Sequence, residues 1–420
     1  MVEFRTLKGT HDLLPDELFI WRQVERSIHT NMQQNGYGEI RTPVFENTEL
    51  FVRGIGTETD IVTKEMYTWI DQGGTHLTLK PELTAPVTRA YIQHELGKSN
   101  PINKLYYIDS LFRRERPQKG RQRQFNQFGV EVFGSEFPEQ DAEIIIMAFT
   151  FLQSLGLSEI NLEINTIGSQ SIRGKYIEVL QNLLNKYRKD FSDIDKQRLD
   201  KNPLRLFDSK DSKCREVVNE KSPTIYDYIS KEDKLHFNNV CSILDNLNIK
   251  YSHDKKLVRG LDYYNNICYE FVSSNIGSQD SFLAGGRYDG LIKKMGGPDY
   301  SGCGFAAGVE RIRLLCSKNL KLPSGLNYVA IAIGKENKIK AMKIINKFRG
   351  ELEFNKYFPI DFICRDNLSK GLRYASEKKA DYALILGDDE ILNKKITIKE
   401  LKTRKQTKIN ISNLFNYLLD

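Results

Sequence analysis

The chain has 420 residues, a formal net charge of +7 and 28% charged side chains, and it is long enough for two domains because single cores stop growing near ~250–300 residues. It holds no apolar run of ~18 residues and no signal-peptide pattern, which excludes a membrane-spanning helix and predicts a cytoplasmic protein. The 6 cysteines form no CxxC pair and the 6 histidines no HxxxH, so a disulfide framework, a structural zinc site and the simplest metal hydrolases are set aside, and buried reduced thiols are expected.

Residues 105–113 alternate and carry aromatics, residues 125–133 alternate again, and together they predict two antiparallel strands joined by a long basic loop. A period of two sends Phe128, Val130 and Val132 to one face of the second strand and Gln127, Gly129 and Glu131 to the other. The loop carries Arg113, Arg114, Arg116, Lys119, Arg121 and Arg123, cations that repel one another unless anions sit among them, and phosphate is the natural anion. A solvated charge run would explain the loop alone, and a surface strand the polar face alone. The adjacency of the two points to a ligand floor.

Farther along, residues 160–166 predict a strand, and between roughly 168 and 249 amphipathic stretches at 171–187 and 233–247 predict a helical insertion. Its residues carry no identifiable chemistry, and the strands on either side of it should return to one sheet. LVRGLDYY at 257–264 then places Arg259 beside Gly260, where little backbone obstructs a ligand, with Tyr263 and Tyr264 as flat walls. It precedes a strand at 267–272. AGGRYDGL at 284–291 and GCGFAAGVERIRLL at 302–315 put glycines where backbone must come close. In the second, Gly302, Gly304 and Gly308 lead from a strand into a helix bearing Arg311, where a phosphate or an adenine could lie against the backbone. There is no Walker loop and no dinucleotide fingerprint. Packing glycines would account for each of these motifs taken singly.

After a linker expected at 321–327, strands at 328–333, 357–364 and 382–386 alternate with helices at 337–348 and 368–379, predicting a small, mostly parallel sheet covered by helices. Residues 325–420 carry 19 Lys and Arg against 12 Asp and Glu, so the whole surplus of +7 lies there. That imbalance suits an RNA partner and suits solubility equally.

Taken together these motifs resemble the class II aminoacyl-tRNA synthetases, and specifically the histidyl-tRNA synthetase family, over nearly the whole chain. GTHDLLPDE at 9–17 resembles that family's opening; residues 36–56, with Pro43 as marker, resemble the class motif that builds the dimer interface. FRRERPQKGRQRQF and GFAAGVER resemble the second and third class motifs, while LVRGLDYY and AGGRYDGL resemble segments particular to the histidine enzymes. The resemblance implies an α+β fold: a catalytic domain over 1–323, built on a mainly antiparallel sheet with the helical insertion at about 168–249, and a C-terminal α/β anticodon-binding domain over 324–420. It implies a homodimer that uses L-histidine, ATP with Mg²⁺, and tRNA(His), with no protein cage for a metal and no membrane partner. Ile40, Pro43, Val44, Phe45 and Leu50 would supply apolar contact at the two-fold axis, although they could equally pack within one subunit.

Carried over residue by residue, the family's histidine site falls on Glu82, Leu83, Thr84, Gln127, Glu131, Tyr263, Tyr264 and Tyr288, with Glu82 and Thr84, helped by Gln127, at the α-amino group and Glu131 and Tyr264 at the imidazole. A free imidazole offers one N–H and one lone pair, which an acceptor such as Glu131 and the Tyr264 hydroxyl can both read. The catalytic arginines correspond to Arg113, Arg259 and Arg311; Glu115, Arg121, Phe125 and Gly304 complete the ATP site, and Gln118, Arg121 and Arg123 correspond to residues that meet the acceptor end of the tRNA. Lys370, Arg373, Lys394, Lys395 and Lys399 are candidates in the anticodon-binding region. Three positions depart from the family pattern: Lys80 in place of arginine, Leu83 in place of glycine and Asn126 in place of histidine. Lys80 keeps a cation without the bidentate fork that could orient Glu82, and Leu83 is expected to turn its side chain away from histidine. Two rival functions share some of these features. Regulatory paralogues sense histidine without making aminoacyl-tRNA, but they usually lack the C-terminal domain and lose the catalytic arginines. A general RNA-binding protein would leave the polar strand face and the glycine-rich motif without purpose.

Overall fold

Helical spacing of Trp21, Val24, Ile28 and Met32 builds the first element, α1 (Pro15–Gln34), whose opening proline costs no hydrogen bond at a position where the N–H has no helical partner. The computed structural model describes residues 4–118, 120–207, 209, 211–276, 281–316, 327–334, 338–351, 360–365 and 367–419. Contacts divide the chain into two units, Met1–Lys321 and Leu322–Asp420.

In the first unit β1 (Gly38–Glu39) is followed by β2 (Phe45–Asn47), α2 (Thr48–Ile55), β3 (Tyr67–Ile70) and β4 (His76–Leu79), the three later strands forming a small sheet in the order β2-β4-β3. Then come α3 (Thr84–Gln93), α4 (Leu96–Ser99) and the long antiparallel pair β5 (Asn103–Phe112) and β6 (Gln124–Phe133), with Phe112 opposite Gln124 at the loop end. The sequence reading of this hairpin holds to within two residues. The chain continues through α5 (Pro138–Ser154), β7 (Asn161–Thr166), α6 (Gln170–Leu184), α7 (Asp193–Lys201), α8 (Ser212–Lys221), α9 (Lys231–Asn246), β8 (Ser252–His253), β9 (Asn265–Val272), β10 (Ser281–Arg287), α10 (Leu291–Lys294), β11 (Gly302–Gly308) and α11 (Val309–Cys316). Eight strands form one sheet in the order β1-β5-β6-β11-β10-β9-β7-β8, antiparallel except for the edge pairs β1 with β5 and β7 with β8.

Each face of this sheet has its own core. Phe128, Val130 and Val132 of β6 pack with α1, α5 and α9, while Tyr107 of β5 packs on the opposite side with Leu83, Val87, Tyr264 and Tyr288. The expected helical insertion divides between them. Residues of α6 to α8, such as Tyr176, Leu180, Leu199 and Val218, share the second core, whereas Phe237, Val240 and Leu244 of α9 pack in the first against α5. Apolar periodicity marks α9 as a helix, but it cannot tell which core that helix serves. As expected, β7 and β9, which flank these helices, lie side by side.

The second unit contains β12 (Tyr328–Ile333), α12 (Lys338–Glu351), β13 (Ile360–Arg365), α13 (Leu368–Glu377), β14 (Tyr382–Leu386), α14 (Asp388–Leu392), β15 (Lys395–Glu400), β16 (Gln406–Asn410) and α15 (Leu414–Leu419). Its sheet runs β13-β12-β14-β15-β16, parallel across the first three strands and antiparallel in the last two pairs. The β15–β16 hairpin goes beyond the βαβαβ pattern read from sequence. Lys395 and Lys399 flank Ile396 and Ile398, which face the core, so the run reads as a charged loop. Residues 321–326 of the linker expected at 321–327, and residues 337 and 357–359 of the neighbouring elements, lie outside the described residues. Among the described residues no helix is long and apolar enough to cross a membrane.

Candidate active site

Glu131 projects from the middle of β6 into the second core and is only 1% exposed. Three hydroxyls converge on it: Thr84 donates to Oε1 at 2.7 Å, Tyr107 to Oε1 at 3.0 Å, and Tyr288 to Oε2. A carboxylate has about four acceptor sites, so one remains for a ligand N–H. Burial raises the carboxyl's pKa to about 8; the three hydroxyls oppose that shift, and the neighbouring Glu82 reinforces it.

The second carboxylate, Glu82, precedes α3 and uses the helix start, accepting from the backbone N–H of Thr84 at 2.9 Å and of Ala85 at 2.8 Å. Burial still raises its pKa. Thr84 therefore ties the two acids together, its N–H to Glu82 and its hydroxyl to Glu131. Tyr263, Tyr264 and Tyr288 close the pocket as a cluster of rings, with centroids 4.7 Å apart between the first two and 6.3 Å between Tyr264 and Tyr288. Gln127 lies half-buried on the same strand as Glu131, at the loop end.

The floor of this pocket is made by absent side chains. Gly304 pairs with Glu131 across β11 and β6, and a Cβ there would lie 2.1 Å from the Val130 carbonyl oxygen and 2.5 Å from the Glu131 carboxylate. At Gly129 a Cβ would meet the Tyr107 hydroxyl at 2.4 Å. Gly304→Ala is therefore expected to displace Glu131 at a stability cost of roughly 1–3 kcal/mol, checked by thermal melting. The clearance of Glu131 is the structural need visible at Gly304, a residue that the family resemblance places in the ATP site.

Four guanidinium groups border the acids. Arg259 pairs with Glu270 and lies over the Tyr264 ring at 5.1 Å, and its buried Nε has no partner among the described residues. Burial works to lower its pKa, but Glu270 and Tyr264 override this and raise it. Arg113 donates from Nε to the Pro81 carbonyl at 2.8 Å, stacks 5.2 Å from the Phe125 ring and faces Glu115 at 3.7 Å. Glu115 also takes Arg121 at 2.9 Å. Arg311, on α11, donates to the carbonyls of Gly120, at 3.0 Å, and Ser281, which fastens the basic loop to the third motif. Its pKa is lowered, by burial first and then by Arg121 and Arg113, against the pull of Glu115 and Glu270. Among the described residues Arg311 makes no ion pair with a carboxylate, and its cationic neighbours work against its charge, so an anion suits it as a partner.

The basic loop itself is pinned at its base. Gln118 and Arg121 exchange backbone hydrogen bonds at 3.1 and 2.9 Å, the Arg123 N–H donates to Gly9 at 2.7 Å, and Gln118, Arg114 and Arg116 are exposed. Lys119, at the tip, lies outside the described residues.

A family model described as histidyl-tRNA synthetase matches residues 9–312, and one described as an anticodon binding domain matches residues 328–420. The chain belongs to the histidyl-tRNA synthetase family. It is 41% identical over 411 residues to the histidine–tRNA ligase of Caldanaerobacter subterraneus subsp. tengcongensis, covering 97% of each chain. It is 40% identical over 416 residues to that of Halothermothrix orenii, covering 98% of each. Apo S. aureus histidyl-tRNA synthetase superposes with a TM-score of 0.80 at 32% identity over 100% of both chains. A Bacillus halodurans C protein described as an ATP phosphoribosyltransferase regulatory subunit/histidyl-tRNA synthetase matches with a TM-score of 0.65 at 20% identity, a likeness of fold alone.

The three departures from the family pattern have local explanations. Lys80, fully buried, donates to Asp109 at 2.5 Å and to the Thr42 carbonyl at 3.1 Å, so it braces β5 and leaves Glu82 to the helix start. Leu83 packs its side chain with Val87, Tyr107 and Leu111, leaving only backbone for a ligand. Asn126 donates its N–H and its amide to Glu310 at 2.8 and 3.2 Å, joining β6 to α11. Sequence reasoning missed Tyr107 and Glu270. A mid-strand glycine such as Gly129 signals a close neighbour, but only the register reveals Tyr107 as that neighbour.

Proposed function

We infer that this chain is a histidine–tRNA ligase, and the observation that carries the reading is a buried acid cradled by three hydroxyls beside an anion-hungry arginine cluster in one pocket. The first step joins L-histidine to ATP. The histidine carboxylate oxygen attacks the α-phosphorus in line, the bond to the bridging oxygen breaks, and pyrophosphate leaves with the electron pair. A carboxylate is already a nucleophile, so no general base is required. The protein's work is to place reactants and neutralise charge. Arg113 and Arg259 serve the α-phosphate, Arg311 the γ-phosphate, and Phe125 with Arg113 offers a stacking platform for the base. Glu82 and Thr84, helped by Gln127, take the α-amino group, while Glu131 and Tyr264 take the imidazole.

In the second step the 3′-OH of the terminal adenosine of tRNA(His) attacks the adenylate carbonyl and AMP leaves. Gln118, Arg121 and Arg123 lie where an acceptor end would reach the pocket. Among the described residues no group of three or more His, Cys, Asp or Glu side chains is placed to hold a metal. Mg²⁺ would enter with the polyphosphate, and the hard carboxylate oxygens of Glu115 and Glu270, which now face arginines, are the protein groups that would hold it. When bound it neutralises charge on the departing pyrophosphate.

The reading includes a homodimer in the cytoplasm. Pro43 is exposed, as are Val44 and Phe45 at 46% and 51%, and β3, at the far edge of the same small sheet, exposes Trp69 and Ile70 at 40% and 61%. This apolar patch includes part of the predicted interface and suits a two-fold contact. Ile40 and Leu50 are half-buried within the subunit. Residues 1–323 and 324–420 serve as catalytic and anticodon-binding domains, and exposed Lys370, Arg373, Lys394 and Lys395 are available for RNA phosphates.

Removal of residues 325–420 tests the reading against a histidine sensor. Histidine-dependent pyrophosphate exchange should persist within a few-fold, while charging of tRNA(His) falls by roughly two orders of magnitude. A sensor would exchange nothing in either form.

A further inference from the structure

Tyr263 and Tyr264 reach the pocket from residues 261–264, which belong to no strand or helix. Such a turn aims its rings only as well as its backbone groups are held. The hold comes from the inserted helices. Arg173 on α6 is only 9% exposed. Its Nη1 donates to the carbonyl oxygens of Asp262 at 3.0 Å and Tyr264 at 3.3 Å, and its Nη2 to the Asp262 carboxylate at 3.4 Å. Asn202, just after α7, donates to the same carboxylate at 3.3 Å. On the other side Gly56, at φ 112°, leaves room for it, since a Cβ there would lie 2.5 Å from the Asp262 carboxylate. The backbone entering α6 is bonded to the same region, from the Ile167 N–H to the Asn266 carbonyl at 2.8 Å and from the Asn266 N–H to the Gly168 carbonyl at 2.9 Å.

We propose that Arg173 is a positioning residue for the histidine pocket, so that the inserted helices set the placement of Tyr263 and Tyr264 and thereby the affinity for histidine. The identity of the ligand rests on the histidine–tRNA ligase reading. Arg173 acts on the carbonyls of the turn, behind the rings that line the pocket. The guanidinium spreads two carbonyls and a carboxylate over two separated nitrogens, whereas a lysine ammonium would have to gather all three on one. Burial lowers the pKa of Arg173 and the Asp262 carboxylate opposes that shift, so the pair is held at some cost within the fold. A second seam supplies a control. Arg205 pairs with Asp60 and donates to the Glu58 carbonyl at 3.5 Å, and Lys201 meets Glu58 at 3.0 Å, joining the end of α7 and the residues after it to the segment that follows α2 without touching residues 261–264.

The test is calorimetric titration of histidine into the full-length protein and its variants. Arg173→Lys should weaken histidine binding about tenfold, Asp262→Asn should act in the same direction, and Arg205→Met should stay within about twofold. In pyrophosphate exchange the KM for histidine of Arg173→Lys should rise about tenfold with kcat changed less than about twofold. In a Tyr264→Phe background the same substitution should cost less than about threefold, because the Tyr264 hydroxyl that it helps to place is gone. If Arg173→Lys fails to fold, Asp262→Asn, which preserves side-chain shape, decides the matter. Unchanged histidine affinity in either folded variant, or equal weakening by Arg205→Met, overturns the proposal. A wild-type protein that binds histidine yet exchanges no pyrophosphate would instead overturn the ligase reading, with the affinity test still standing.

Discussion

Arg259→Ala should lower kcat for histidine-dependent pyrophosphate exchange about 10³-fold while the KM for histidine moves less than about threefold. The reason is local. Arg259 is held by Glu270 and the Tyr264 ring, and a further donor, Nε, is buried without a partner among the described residues. A donor in that condition costs stability unless something fills it in the working state. The transferring α-phosphate gains charge in the transition state, so the same donor is worth more there than in the ground state. Arg259→Lys keeps the charge but loses the fork, and should recover only part of the rate. The alanine variant also leaves Glu270 without its partner, so melting should shift downward, and exchange must be read well below the new midpoint. A kcat within tenfold of wild type would remove Arg259 from the chemistry.

Glu131→Gln should weaken histidine binding by about 10²–10³-fold, because a buried charge-assisted contact is replaced by a neutral amide that also competes for the Thr84, Tyr107 and Tyr288 hydroxyls. The pH dependence is diagnostic. Burial holds the free carboxyl at about 8, and Glu82 nearby adds to the cost of a lone charge there. The histidine ring titrates near ~6.5, so between these values protein and ligand together bring one proton to share between carboxyl and ring. Affinity should be flat across that window and fall about tenfold per pH unit outside it, as a proton must be lost below or gained above. The glutamine variant should lack the limb near pH 8.

The same shift has a consequence for stability. The carboxyl's folded pKa lies above its ordinary value of 4.5, so the folded state binds the extra proton. Its contribution is complete below pH 4.5 and is lost as pH rises through about 8, giving a ligand-free protein that melts lower at pH 8.5 than at pH 6 on this account. Glu131→Gln should flatten that dependence.

Much of this site is legible in the sequence, and for identifiable reasons. Residues 127–132 alternate strictly, and period two fixes which residues share the face of Glu131 whatever the neighbouring strands are. Arg113, Arg259 and Arg311 stand out because each lies in a motif with glycines or further cations. Tyr107 does not, since its role depends on the register that sets it opposite Gly129. Lys80 and Asn126 illustrate the same limit: their partners, Asp109 and Glu310, are separated from them by 29 and 184 residues. The hairpin β15–β16 is hidden by lysines on its solvent face. Arg173 reads only as one charge on an amphipathic helix, because its partners are mainly carbonyl groups, which have no sequence signature.

The most direct measurement of the central claim is pyrophosphate exchange into ATP with purified protein, Mg²⁺, no tRNA, and each of the standard amino acids in turn. Exchange with histidine alone, with others lower by roughly 10⁴-fold and the signal lost in Arg259→Ala, is the result expected of a histidine-specific adenylate site. Histidine bound in the calorimeter without exchange, or exchange with another amino acid at a comparable rate, would contradict it.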